Sequence, residues 1–346
     1  MAKVRILQIA GQLDIGGSEK TLQIYSKYLD KSRFEVIACG RERGGSRVQE
    51  LEKLEIPVIV GPVDIDEVVR EYKIDICHVH RSGHYEPGSL PTKQRGWPKI
   101  VETNVFHDFD PIEGQSIDHH FFVSEFSRTR YLEKNRLSQS LQYDVLYNPV
   151  DMEEFPERQK TFSSTIGRCS RADDAKWHKV CIDCLPKVFR KVPEAKCVIQ
   201  GIPDTMRERL AHLSVNEKVQ LFEPNMNVQE FYQRIDVFIH GARVGETFGC
   251  VIAEAMANKI PVVTLSTPRG KKANAQVELV EHDITGFVCR WSWQYANAVI
   301  ELLKNHDLRE RFARQGYEKA REQFEASRLT RKLENVYTSL MDGPHV

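Results

Sequence analysis

The chain reads as an α/β protein made of two doubly wound domains, and three observations predict this. Its 346 residues exceed what a single hydrophobic core ordinarily holds. Short β-branched and aromatic runs alternate with helical patterns along most of the length, the rhythm of βαβ units around a parallel sheet. The rhythm breaks once, at Asn148-Pro149-Val150-Asp151, and resumes past Thr161. Pro149, Pro156 and the charged stretch between them read as a linker. The expected domains are therefore 1–155 and 156–346.

Taken in order, the strands expected in the first domain are Val4–Ala10, Phe34–Cys39, Ile56–Val60, Ile74–Val79, Lys99–Thr103, Phe121–Ser124 and Asp144–Tyr147. Leu22, Tyr25 and Leu29 share one face of a helix after the first strand, and Ile65–Tyr72 reads as a short helix before the fourth. The second domain repeats the pattern with Ser164–Ile166, Lys196–Gln200, Val219–Phe222, Val237–His240, Ile260–Leu265 and Gly286–Cys289. The tail from Asn305 is helical, with Leu329, Leu333, Val336 and Leu340 in one apolar stripe. Periodicity leaves open whether this last helix, about 325–342, packs on its own domain or crosses back to the first.

Composition narrows the function. Forty-nine basic residues balance 49 acidic ones, which argues against a nucleic-acid binder held by backbone phosphates. With 41% hydrophobic and 28% charged residues the chain can fill two cores and is not disordered. No apolar run approaches the ~18 residues of a spanning helix, and Met1–Ala10 lacks the apolar core and cleavage site of a signal peptide. A soluble, cytoplasmic protein is expected, with at most a peripheral contact at the inner face of the membrane. Among eight cysteines, Cys181 and Cys184 have CxxC spacing but no second pair at zinc-site distance, and they read as buried helix residues. Pro186 should kink or shorten that helix.

The most informative stretch runs from His240 to Asn258. A strand ends near His240, a loop carries Gly245 and Gly249, and a helix follows with Val251, Ile252, Ala255 and Met256. Amides at a helix N-terminus carry partial positive charge, so the turn Thr247-Phe248-Gly249-Cys250 is a natural diphosphate seat. Glu246 stands before the turn, where a carboxylate can orient sugar hydroxyls. Glu254, embedded in Val-Ile-Ala-Glu-Ala-Met, is placed to take a ribose diol, and burial there would demand a partner. In the first domain Gly16 and Gly17 bring backbone amides to the start of a helix after the first strand.

Glu246 and Glu254, separated by seven residues and followed by Ala-Met-Ala and Pro261-Val-Val, resemble the signature of retaining family 4 glycosyltransferases of GT-B fold. Gly16-Gly17-Ser18-Glu19, Asn148-Pro149-Val150-Asp151 and Ile166-Gly167-Arg168 resemble further landmarks of that family, in order along nearly the whole chain. The resemblance implies two Rossmann-like domains facing a central cleft, an acceptor-side N-terminal domain and a donor-side C-terminal one. It implies a nucleotide-sugar donor, UDP- or GDP-linked, and a carbohydrate, lipid-linked or other hydroxyl acceptor. Arg168 matches the arginine on the donor diphosphate. The usual lysine spacing is replaced by Asp173 and Asp174, so Lys176 is the favoured second cation and Lys179 the alternate. The family's histidine corresponds best to His107, displaced by about two residues, with His80 as rival.

Leaving-group stabilisation by protein cations needs no metal or other cofactor. The triplets Asp64-Ile-Asp66 and Asp108-Phe-Asp110 are the alternatives to be weighed against it; the first reads as a helix start. Segment 267–278, with Arg269, Lys271 and Lys272, departs from the double-glycine loop common in the family. The turns at Val198–Pro203 and Phe222–Asn225 are expected near the base. The loop Arg81–Lys99, with His84, Tyr85, Lys93, Arg95 and Trp97, suits acceptor recognition or contact with a membrane headgroup region. The basic stretch Ser127–Arg136, with Arg128, Arg130 and Lys134, reads first as a solvated face. A sugar-nucleotide epimerase and a non-catalytic nucleotide-sugar-binding partner are the rival functions.

Overall fold

The computed structural model describes residues 2–135, 142–155, 161–223, 228–267 and 272–342. The chain divides into two compact units, Met1–Asp151 with Phe324–Val346, and Met152–Gln323.

The first unit holds seven strands, β1 (Val4–Gln12), β2 (Phe34–Arg43), β3 (Val58–Val60), β4 (Ile76–Arg81), β5 (Lys99–Asn104), β6 (His119–Phe122) and β7 (Gln142–Val145). They form one sheet in the order β3-β2-β1-β4-β5-β6-β7, every neighbouring pair parallel. A parallel sheet is covered on both faces, so its central strands are nearly continuous apolar runs. Ile6, Leu7 and Ile9 of β1 are accordingly all buried. Strand β6 begins two residues earlier than its apolar run suggests. His119 and His120 occupy those positions, buried, and His120 Nδ1 lies 2.7 Å from Glu102 Oε2 on β5.

The helix Ala326–Asp342 belongs to this unit. Val150 N–H donates to Phe324 O at 2.7 Å and Ala326 N–H to Val150 O at 3.0 Å, returning the chain to the sheet. Leu329, Leu333 and Tyr337 then pack with Ile6, Tyr25, Ile76, Val101 and Phe121.

The second unit holds β8 (Thr165–Cys169), β9 (Lys196–Gln200), β10 (Val219–Phe222), β11 (Val237–His240), β12 (Val262–Leu265) and β13 (Gly286–Cys289). Their order is β10-β9-β8-β11-β12-β13, again all parallel. One large core includes Ile166, Trp177, Val188, Ile239, Val263 and Leu302. Cys181 and Cys184 lie inside it, and burial pushes both thiols above their ordinary range, so they are packing residues. Pro186 leaves two short helices, Val180–Asp183 and Leu185–Lys191, on either side of Cys184.

Both sheets reverse their winding between the first and fourth strands, β1/β4 and β8/β11. Doubly wound sheets bind ligands outside the carboxyl ends of the strands at that switch point.

Candidate active site

In the second unit the switch point is where the sequence candidates gather. Arg168, on β8, is fully buried. Its Nη1 donates to Cys169 O, its Nη2 donates to Lys176 O at 2.6 Å, and the guanidinium carbon lies 4.8 Å from the Trp177 ring centroid. As placed, Arg168 grips the segment that carries Lys176 and adds a positive charge from beneath it. Lys176 Nζ in turn donates to Glu246 Oε2 at 2.7 Å, with the lysine side chain 26% exposed and the glutamate side chain 9% exposed.

The second oxygen of Glu246 faces His240, the last residue of β11, with Nε2 and Oε1 3.4 Å apart. Thr264 Oγ1, on β12, is 2.9 Å from His240 Nδ1. Burial outweighs the pull of Glu246 and lowers the His240 pKa to about 4, with Arg168 and Lys176 adding to the shift. A neutral imidazole beside a carboxylate must present its N–H to it, so Nε2 donates and Nδ1 accepts from Thr264. For Glu246 the balance runs the other way. Burial raises its pKa, but the Lys176 charge and the His240 and Lys176 hydrogen bonds together hold it at about 2. The result is an ionised carboxylate seated between a cation and a neutral donor.

Beyond Glu246 the loop is made possible by glycines. Gly249, at φ +106°, caps the helix Cys250–Ala257 in the left-handed region. Phe248 is buried and anchors the turn, while Thr247 and Cys250 are part-exposed. Gly245, at φ +77°, lies so close to Ala273 that an added Cβ would stand 1.7 Å from its carbonyl oxygen. Gly245→Ala is expected to cost about 2–3 kcal/mol and most of the activity, from left-handed strain plus that clash. Urea unfolding checks it; a change under about 0.5 kcal/mol would show that the loop has room to move. Glu254 faces inward and accepts a hydrogen bond from the buried Tyr232 hydroxyl at 2.9 Å. Lys179 is exposed on the same segment as Lys176.

The first unit carries the remaining candidates. Gly16, in extended backbone at φ −172°, precedes the helix Gly17–Tyr28 after β1. The Glu19 carboxylate folds over Gly16, 2.1 Å from where a Cβ would be, and accepts from Gln12 Nε2 at 3.3 Å. A larger residue there would displace the Glu19 carboxylate. His107 sits on the loop after β5 at φ +53°, half-buried, edge-on to Phe126 at 5.8 Å. Burial, with Lys134 and Arg130 adding, lowers its pKa to about 4 despite Asp108, so it is neutral at pH 7. His80 lies within β4 instead. It is buried, stacked on His78 at 4.4 Å, and hydrogen-bonded to Gln8 Oε1 at 2.8 Å.

Three of the four triplet aspartates, Asp64, Asp66 and Asp110, are engaged by the fold through their side chains. Asp64 caps the helix Ile65–Tyr72 by accepting from Asp66 N–H, and Asp66 accepts from Thr92 N–H at 2.7 Å. Asp110 accepts from Arg81 Nη1 at 3.0 Å and from two backbone amides, while Arg81 Nε donates to Glu102 at 2.7 Å. This buried charge cluster escaped sequence reading; its one signal was an arginine closing an apolar strand two residues before a glycine turn. Among the described residues no group of three or more His, Cys, Asp or Glu side chains is placed to hold a metal ion. Lys93 pairs with Asp118, Arg128 with Glu125 and Arg130 with Glu133. Among the described residues no helix is long and apolar enough to cross a membrane. Arg136, Pro224, Asn225, Arg269 and Lys271 lie outside the described residues, and Lys272 is exposed.

Comparison with known proteins agrees with this architecture. Residues 153–319 match the family model described as glycosyl transferases group 1. The chain is 24% identical over 307 residues to the N-acetyl-alpha-D-glucosaminyl L-malate synthase of Bacillus anthracis, covering 80% of this chain and 77% of that one. Among solved structures, a glycosyltransferase from Rickettsia africae superimposes with TM-score 0.78 at 18% identity, covering 99% of this chain and 100% of that one. Anabaena Alr3699/HepE in complex with UDP and glucose gives TM-score 0.75 at 18% identity, covering 97% and 99%. Two all-parallel doubly wound sheets and the likeness to these solved structures converge: the chain has the GT-B fold, and its residues 153–319 match the group 1 glycosyl transferase family.

Proposed function

We propose that the chain is a retaining glycosyltransferase that moves a sugar from a nucleotide-sugar donor to a hydroxyl acceptor. The observation that carries this reading is the Lys176–Glu246–His240 cluster, set over Arg168 and directly before the helix Cys250–Ala257. Lys176 has two further ammonium hydrogens to offer a diphosphate. Arg168 supplies charge from below, and the amides at Thr247–Cys250 face the same group. Glu246 orients the sugar hydroxyls, and Glu254, steadied by Tyr232, takes the ribose diol. The acceptor oxygen bonds to the anomeric carbon on the face the leaving group vacates. The carbon–phosphate-oxygen bond breaks with its electron pair passing to the nucleoside diphosphate, and a donor phosphate oxygen accepts the acceptor's proton. Gly16, Gly17 and His107 are the first unit's own candidate residues. The reading assigns no metal.

The Anabaena neighbour's UDP and glucose support a nucleotide sugar as donor, and the Bacillus relative's name makes a hydroxy acid such as L-malate the first small acceptor to try. A peripheral membrane contact is less favoured, since Arg128 and Arg130 each have an acidic partner on their own helix. The test is a melting screen with UDP, GDP, ADP and their common sugars, followed by product analysis with L-malate and with sugar acceptors. One nucleotide at about 100 times its Kd should stabilise the fold by about 2.7 kcal/mol, and Glu254→Ala should abolish the effect. No shift from any nucleotide, in folded protein, overturns the donor assignment. An altered nucleotide sugar released without an acceptor product identifies an epimerase instead.

A further inference from the structure

We infer that Gln276 is the positioning residue that sets the Glu246 carboxylate for the donor sugar, an inference that rests on the role proposed for Glu246. Gln276 is fully buried. Its Oε1 accepts from Glu246 N–H at 3.1 Å, and its Nε2 donates to Leu265 O at 3.0 Å, with Thr267 Oγ1 at 3.2 Å and Asn274 Oδ1 at 3.1 Å. An amide N–H can only donate and a carbonyl can only accept, so the two main-chain partners fix which way the side-chain amide points. The neighbouring residue closes the other side, because Ala275 N–H donates to Glu246 O at 2.8 Å. The Glu246 peptide is thus held at both its N–H and its C=O by consecutive residues. The same clamp ties it to the end of β12.

This is the segment where the sequence departs from the family's double-glycine loop. A glycine pair offers backbone amides, whereas here a buried side chain joins Gly245–Glu246, the end of β12, and the side chains of Thr267 and Asn274. Main-chain contacts continue the seam, with Ala273 N–H donating to Val244 O at 3.0 Å. Rotation of the Glu246 peptide would swing its carboxylate off both Lys176 and His240. Gln276 touches neither partner, and its effect on them passes through the Glu246 backbone.

The experiment is a double-mutant cycle between Gln276→Met and Glu246→Gln, reading nucleotide release from UDP-N-acetylglucosamine and UDP-glucose, with thermal melts as a check on folding. Gln276→Met keeps the side-chain length and removes all its hydrogen bonds. It should lower kcat/KM about 30-fold, since misplacing a reacting group by ~1 Å costs up to ~100-fold. In the Glu246→Gln background the same change should cost less than about threefold, because the group it positions is already disabled. Equal losses in both backgrounds overturn the clamp and leave Gln276 a general packing residue. If Glu246→Gln alone leaves release unchanged, the role of Glu246 fails, and the clamp fails with it. Gln276→Glu, which keeps volume but turns carboxylate oxygens toward Leu265 O, serves where Gln276→Met does not fold. Its loss should likewise vanish in the Glu246→Gln background.

Discussion

Lys176→Met is expected to lower kcat/KM for the nucleotide sugar by about 10²–10³-fold, the loss typical of removing one preorganised charge-stabilising donor. Two effects add. On the proposed mechanism the leaving diphosphate loses an ammonium, and Glu246 loses the cation that holds its pKa down. Lys176 is the strongest of the influences lowering the Glu246 pKa, which burial alone would raise. Without the lysine that pKa climbs, and the carboxylate is free to turn from the sugar. Lys176→Arg should recover little, because a planar guanidinium cannot occupy the place of a point charge 2.7 Å from Oε2 without moving the loop.

The same substitution has a pH signature. The folded pKa of Glu246, about 2, lies below its ordinary 4.5, so its contribution to stability is fully present above about 4.5 and is lost as pH falls toward 2. Breaking the pair should cost on the order of 2 kcal/mol at pH 7, less than the ~3–5 of a fully buried pair because the lysine side chain is 26% exposed. The gap between wild type and variant should then close between pH 4.5 and 2. Urea unfolding at several pH values measures it. A gap that stays constant to pH 3, or turnover within threefold of wild type, would remove Lys176 and Glu246 from the centre of the site.

What could be read from the sequence follows from the range over which each interaction acts. Central strands buried on both faces must be continuously apolar, and the half-exposed edge strands kept shorter runs, so each strand was visible locally and only the ends moved. Strand β6 moved because two histidines stand where aliphatic residues would have marked it. The helix Cys250–Ala257 and its glycine loop were visible because a left-handed cap and a buried acid leave residue-level traces. The candidates placed in the second unit, Arg168, Lys176, Glu246 and Glu254, are brought to one switch point by β8, β11 and the loops after them. What the sequence did not disclose is how they are held. The Arg168 stack on Trp177 and its grip on Lys176 O depend on a loop folding back over β8. His240 looked like a strand terminus and is a hydrogen-bond donor to Glu246. Gln276, thirty residues beyond Glu246, has no local pattern at all, since a single buried amide is indistinguishable in sequence from a surface one. The Arg81–Glu102–Asp110 cluster is equally non-local.

Tyr337→Ala is expected to destabilise the first unit by at least about 4 kcal/mol, within a total that is ordinarily ~5–15 kcal/mol. Periodicity marked the last helix as amphipathic but could not say which core it completes. Tyr337 shows why the answer is the first unit. Its ring is fully buried, edge-on to Phe34 at 6.0 Å and to His78 at 5.9 Å. Its hydroxyl accepts from Gln8 Nε2 at 3.1 Å and lies 2.6 Å from His78 Nδ1. His78 Nε2 is 2.8 Å from Thr103 Oγ1, and Gln8 Oε1 holds His80. A polar layer across β1, β4 and β5 is therefore satisfied only when the final helix is docked. Removing the ring loses its burial and opens a cavity, and it also takes from Gln8 Nε2 and His78 Nδ1 the hydroxyl they share in the dry interior. Tyr337→Phe separates the two terms. It keeps the ring and loses only the hydroxyl, so its cost should be about 1–3 kcal/mol. If calorimetry shows Tyr337→Phe and Tyr337→Ala equal, the hydrogen-bonded layer dominates and ring packing contributes little. If Tyr337→Phe is neutral, the layer finds other partners and the helix is held by its apolar stripe alone. An intermediate Tyr337→Phe, with Tyr337→Ala unfolding the first unit ahead of the second, is the outcome this packing requires.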